Sequence, residues 1–244
     1  MIKLPSIEEM LQAGMHFGHR TSKWHPKMKP YIFDSRKGIY IFDLEKSQKL
    51  LGQALEFITR TVAANKKILL VGTKPQVSGL LKKTATEANM PYVSEHWIGG
   101  LLTNFPVIRK SIRKYIDLSE KKATGKLAKY TKKEQLQFDR QIAKLETAVG
   151  GLVSLNNVPD VVFIWDIKLD KTALTEASKR GIPVIAICDT NVNPEDVDYV
   201  IPSNDDASKT IKLVLALIKE AIIEGQTEAA KHSASTPNKN VNKK

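Results

Sequence analysis

Several residues stand where chemistry would use them. Asp43, Gly72-Thr73, Asp166 and Asp189 each follow a short apolar run. In an open α/β sheet such positions face the crevice where ligands bind. Several carboxylates there would suit Mg2+ and phosphoryl transfer. The motifs that accompany this chemistry are missing: GTK around Lys74 is not G-x-x-x-x-G-K-[ST], and neither G-x-G-x-x-G nor G-x-S-x-G occurs. Lys74, near a predicted helix N-terminus, still suits one phosphate, an RNA phosphate included. The sequence therefore reads as non-enzymatic, with a Mg2+- or nucleotide-dependent enzyme as the alternative.

Metal chemistry finds little support. GMHFGH sets His16 and His19 at H-x-x-H spacing, with His25 downstream. Zinc needs a third or fourth ligand and partners that orient them. Cys188 lies on a distant predicted strand, which leaves His25 or carboxylates. Structural or RNA-facing histidines are expected, with no metal and no cofactor. Asp189-Thr-Asn191-Val-Asn193 begins like a calcium loop, but Pro194 stands where glycine is required and Val200 where glutamate is required. Residues 189–206 hold six acids and no Lys or Arg. They predict an acidic edge opposed to the basic segments, facing solvent or a basic protein.

Polyanion binding is better represented. Arg20, Lys23, Lys27, Lys29, Arg36 and Lys37 are interleaved with Trp24, Tyr31 and Phe33, against the single acid Asp34. Cations position a phosphate backbone and planar rings stack on bases; the same rings could instead pack on the body. Arg109, Lys110, Arg113 and Lys114 place like charges four apart twice over. On an isolated helix such pairs repel by a few tenths of a kcal/mol each, and a bound phosphate backbone reverses that sign. Six lysines between Lys121 and Lys133 extend the basic surface. A solvated helix face is the plainer reading of each of these residues singly.

The elements that would position these residues follow from patterning. GIYIFD, KILLVG, PYVSE, DVVFIWD, IPVIAICD and DYVIP read as strands. Helices are predicted from about Glu45 to Ala64, after Thr73 as cap with Pro75 in the first turn, near Lys171–Arg180, and from about Asp205, capped by Asn204, to Gly225. Strands apolar on both faces and separated by helices predict a central parallel sheet covered on both sides, an α/β fold of Rossmann or flavodoxin-like type. Ile108, Ile112, Tyr115 and Ser119 match Phe138, Ile142, Leu145 and Val149 in spacing, which predicts an inserted α-helical coiled-coil hairpin. The expected organisation is an α/β domain over 1–101 and 152–225, the hairpin over 102–151, and a disordered basic tail over 226–244.

Composition frames the rest. The 244-residue chain carries a formal charge of +12, which favours a polyanionic partner. A single cysteine fits a reducing compartment. MIKLPSIEEMLQ does not resemble a signal or transit peptide, and no window approaches the roughly 18 apolar residues of a membrane span. A soluble, cytoplasmic protein is expected.

The motifs taken together resemble the small-subunit ribosomal protein S-two family. They are, in order, GMHFGHRTSKWHPKMKPYIFDSRKGIYIFDL, LLVGTKPQ, HWIGGLLTNF, KLETAVGGL, PDVVFIWD, EASKRGIPVIAICDTNVNPEDVDYVIPSNDDA and a helix ending in IIEG. The resemblance covers about residues 5–225. It implies a structural, non-enzymatic protein that binds small-subunit rRNA near the junction of head and body. It also implies neighbouring ribosomal proteins as partners, a role in docking the large ribosomal protein S-one, and no homo-oligomer. The hairpin implies the bacterial or organellar branch. Carried onto this sequence, the RNA contacts are Arg20, Lys23, Trp24, Lys27, Lys29, Arg36, Lys37, Arg109, Lys110, Arg113 and Lys114. One departure is His96, where the family usually has arginine before Trp-x-Gly-Gly.

Overall fold

A computed structural model describes residues 2–234. Helix α1 (Ile7–Ala13) opens on a capping box, in which Ser6 and Glu9 satisfy each other's backbone N–H groups. Three short strands follow: β1 (Phe17–Arg20), β2 (Ile32–Arg36) and β3 (Ile39–Phe42), with 3-10 turns between the first two. They form a small antiparallel sheet in the order β1-β3-β2. The expected strand in GIYIFD is therefore present but lies outside the parallel sheet. Ile39, Tyr40 and Ile41 are only half-buried, as suits a sheet covered on one face.

The rest of the chain alternates. Helix α2 (Leu44–Ala63) leads to β4 (Ile68–Val71), α3 (Pro75–Glu87) and β5 (Tyr92–Val93). Helices α4 (Phe105–Ala123) and α5 (Lys132–Val149) come next, then β6 (Val161–Ile164), α6 (Lys171–Arg180), β7 (Val184–Cys188), β8 (Tyr199–Pro202) and α7 (Ser208–Ala234). The five later strands form one parallel sheet in the order β5-β4-β6-β7-β8. Counted within the sheet this is 2-1-3-4-5, the flavodoxin-like arrangement, with its switch point between β4 and β6.

Side-chain alternation along the strands builds two cores. Ile68, Leu70, Phe163, Trp165, Ile185, Ile187 and Ile201 face α1, α2, α3 and α7. Leu69, Val71, Val162, Ile164, Ala186 and Cys188 face α6, Trp97 and the root of α4 and α5. Each fully buried aliphatic side chain contributes about 1.5–3 kcal/mol, so the two-sided burial, not local propensity, holds the sheet.

Helices α4 and α5 pack on each other as a hairpin whose root belongs to the second core through Phe105, Ile108, Ile112 and Val149. Farther out the seam differs from expectation. Leu118 and Leu127 are buried, while the Ser119 hydroxyl is enclosed without a hydrogen-bond partner. Lys122 and Asp139 bridge the two helices at 2.8 Å. At the root, Gly151 passes so close to β5 that a Cβ there would meet the Tyr92 carbonyl oxygen at 2.3 Å.

Three expected helix ends move. Lys74, not Thr73, is the N-cap of α3, and the Thr73 hydroxyl donates instead to Asp170. Asn204 caps a turn, its side-chain oxygen accepting from the N–H groups of Asp206 and Ala207, and α7 begins only at Ser208. Gly225 does not end α7, which continues to Ala234, so residues 226–234 are helix rather than tail. The glycine serves a close approach: a Cβ there would stand 2.6 Å from the Thr59 carbonyl oxygen of α2. Residues 235–244, the remainder of the expected tail, lie outside the described residues.

Candidate nucleic-acid interface

The N-terminal basic segment is fastened to the C-terminal ends of β7 and β8. The His19 N–H donates to the Thr190 hydroxyl at 2.8 Å, the His25 N–H to the Thr190 carbonyl at 2.8 Å, and the Asn204 N–H to the Met15 carbonyl at 3.1 Å. Met28 is wholly buried beneath it. This anchoring leaves Arg20, Lys23, Lys27, Lys29, Arg36 and Lys37 exposed. Arg36 and Lys37 project at the turn between β2 and β3, where Lys37 and Gly38 both take positive φ (50° and 76°). That pair of left-handed residues is what a two-residue hairpin turn requires.

The three rings of the segment divide. Tyr31 packs against the second core, and Trp24 is half-buried against Tyr40 with centroids 5.1 Å apart. Phe33 is 72% exposed and presents an open face. The acidic stretch is not set apart from these cations as expected: Lys27 is paired with Glu195, and His19 lies 3.1 Å from Asp189. Residues 189–206 therefore neutralise part of the chain's own basic segment and help to seat it.

The hairpin root differs. Lys110, Arg113 and Lys114 are exposed and Arg109 is half-buried. None of the four has an ion-pair partner among the described residues. Arg109, Lys110 and Arg113 converge on one cavity of about 560 Å3. Toward the tip, Lys121 and Lys122 are paired with Asp117 and Asp139. The N-terminal residues line other cavities, so the two basic regions are separate patches.

A larger cavity of about 730 Å3 lies between α1 and the small sheet. Leu11, Phe17 and Phe33 line it while remaining 46%, 47% and 72% exposed. Arg36 and Lys37 also border it.

A family model described as "Ribosomal protein S2" matches residues 10–225. The chain belongs to the ribosomal protein S2 family. Among its relatives is the "Small ribosomal subunit protein uS2" of Roseiflexus sp. (strain RS-1), 46% identical over 224 residues, which are 92% of this chain and 86% of the relative. The protein of the same description from Geotalea uraniireducens (strain Rf4) is 45% identical over 220 residues, 90% of this chain and 86% of its own length. Membership makes the chain a structural, non-enzymatic ribosomal protein.

In this S2-family member the acids at the crevice that an α/β enzyme would use are engaged by the chain's own side chains. At the switch point Lys74 reaches Asp205 at 3.0 Å and Asp166 at 3.6 Å, and also pairs with Asp206. Burial alone would lower the Lys74 pKa, but the Asp206 and Asp205 carboxylates hold it up to about 12. Burial, with the Asp189 charge beside it, pushes Asp205 up to about 7 against the pull of Lys74. Asp166 thus shares an internal cation with Asp205 and Asp206, while Asp189 is held by His19 and Thr190. Asp43 stands elsewhere, as the N-cap of α2.

The histidines do not converge. His16 packs against Phe17 with the rings tilted by 41°, and the His25 Nδ1 accepts from the Lys27 N–H. His19, its pKa raised by the hydrogen bond to Asp189, has ligand atoms within 4.8 Å of those of Asp205 and Asp206. Lys74 already supplies that pair with a positive charge. Cys188 is buried, and burial raises its pKa, so it is inert as a nucleophile.

One residue of consequence carried no local sign. Glu176 on α6 is buried and accepts five hydrogen bonds: from the Trp97 indole N–H, the N–H groups of Gly100, Leu102 and Thr103, and the Thr103 hydroxyl. It fixes the loop from which α4 departs. Only the pairing of TEASKRGIP with HWIGGLLTNF across some seventy-odd residues (79 for Trp97 to Glu176) would have pointed to it.

Proposed function

We propose that the chain is a cytoplasmic constituent of the small ribosomal subunit, seated as a single copy on small-subunit rRNA near the head–body junction. The observation that carries this reading is the unpaired cation group at the hairpin root, Arg109, Lys110, Arg113 and Lys114. Like charges held together without internal partners are what a phosphate backbone would satisfy. The exposed N-terminal cations supply a second phosphate-facing patch. Purified chain is expected to bind small-subunit rRNA and co-sediment with small subunits. With six or more phosphate contacts its affinity should fall about 1,000-fold between roughly 50 and 200 mM salt. A flat salt response, or failure to co-sediment at low salt, would overturn the reading.

The apolar cavity beneath Leu11, Phe17 and Phe33 supports a second role, the docking of ribosomal protein S-one. Exposed apolar side chains beside the Arg36 and Lys37 cations suit an amphipathic partner segment with acidic flanks. Leu11→Ala combined with Phe17→Ala should weaken retention of S-one on small subunits by about tenfold, of the order of one lost apolar anchor, with rRNA binding unchanged. Undiminished S-one retention in that variant would refute the docking site.

A further inference from the structure

The cavity at the hairpin root has a second wall. Across from Arg109, Lys110 and Arg113 stand Asn156 and Asn157, in the segment leading to β6, and Arg180, the last residue of α6. Three stretches distant in sequence thus face one cleft, floored by Phe105, Pro106 and Val158. No acid lines it, and Arg180, like its three counterparts, has no ion pair among the described residues. A cation in the last turn of a helix is favourable on its own account. That explains the charge of Arg180 but not its convergence on three other unpaired cations, which repel it.

The asparagines add a different signal. Both are exposed, and neither side-chain amide is hydrogen-bonded within the described residues. Asn193 and Asn204, by contrast, use theirs to close turns. A carboxamide offers two donors and an acceptor, the complement of a nucleobase edge. An A-form duplex keeps its Watson–Crick edges paired and offers such a cleft mainly backbone and 2′-hydroxyls, whereas an unpaired nucleotide can be splayed out with its Watson–Crick edge free.

We infer that this cleft seats one unpaired nucleotide of the bound RNA, its phosphates on Arg109, Arg113 and Arg180 and its base edge on Asn156 and Asn157. The inference rests on the rRNA-binding reading above and adds to it Arg180 and the two asparagines, together with the single-stranded character of the ligand.

The test uses the full chain in anisotropy titrations with a short unstructured RNA and with a blunt RNA duplex of the same length. Arg180→Gln should lower the slope of log affinity against log salt by about 0.7 on the unstructured RNA, one phosphate contact on a single strand. Asn156→Ala with Asn157→Ala should leave that slope unchanged but weaken the unstructured RNA several-fold while sparing the duplex. All three positions are exposed, so unchanged melting temperatures would show that folding is not at issue. An unchanged slope in Arg180→Gln would overturn the inference. So would equal weakening on both RNAs in the asparagine variant, which would mean that duplex backbone occupies the cleft. If the wild type showed no salt-dependent binding to either RNA or to rRNA, the rRNA reading itself would fall.

Discussion

Glu176→Ala should cost about 4 kcal/mol and loosen the root of the hairpin. The substitution leaves four buried or half-buried N–H groups and one hydroxyl without their acceptor, and each stranded donor costs about 1–3 kcal/mol, in part recovered by water. For a chain of this size the melting temperature should fall by about 10 °C, and limited proteolysis should begin in the loop between Trp97 and Thr103. Glu176→Gln keeps the shape but turns one acceptor into a donor, so it should retain only part of the stability.

The pH dependence of this effect has a definite sign. Burial raises the pKa of Glu176, but the bonds from Gly100, Trp97, Leu102 and Thr103 outweigh it and hold the pKa below the usual carboxylate value. A depressed pKa contributes stability that is complete above the unfolded value and is lost as pH falls through the folded one. The gap between wild type and Glu176→Ala should therefore be wide at neutral pH and close in acid. Urea titrations that show a constant gap down to strongly acid pH would contradict the role given to the carboxylate.

Lys74→Ala should produce a loss of about 3 kcal/mol at neutral pH, the scale on which a buried ion group suffers when one partner is removed. Asp205 and Asp166 would then face each other and Asp189 with only His19, bonded to Asp189, as a nearby basic group. Asp205 already has its pKa raised to about 7 in the intact protein. A raised carboxylate pKa means that the folded state binds a proton the unfolded state has released, so stability falls as pH rises from the unfolded value to the folded one. Without Lys74 that decline should extend to higher pH, and lowering the pH toward 5 should recover much of the loss. A variant as unstable at pH 5 as at pH 8 would show that Lys74 acts through packing alone.

The sequence was most legible where burial sets a simple period. Val161–Ile164 and Val184–Cys188 are buried at every position, so their apolar runs announced central parallel strands. Residues 39–41 share the β-rich composition but are half-exposed, and only pairing with β1 and β2 distinguishes them. Glycine was misread in one instance: Gly225 has the look of a helix stop, yet its missing side chain admits α2. Thr73 was misread similarly, because a hydroxyl before a helix is as available to a distant Asp170 as to the helix itself.

For the candidate interface, charge located both basic regions but not their partners. Which lysines stay free depends on contacts across the fold, as Lys27 with Glu195 shows. Glu176 and Arg180 stand in the helix near Lys171–Arg180, which the sequence places beside the sheet without assigning either residue a role. Their roles come from loops that the sheet brings to them from far along the chain.

The seating of residues 15–43 has a consequence for biosynthesis. Its anchors, Thr190 and Asn204, and the Ser47 hydroxyl bonded to the Pro202 carbonyl, tie the first part of the chain to nearly the last. During synthesis domains form as their residues emerge, yet this segment leaves the exit tunnel long before β8 exists. Its cations are thus the first to be made and among the last to be shaped. Until then they travel as an unfolded polycation through a cell full of RNA, and only a chain translated past residue 204 can present them in order.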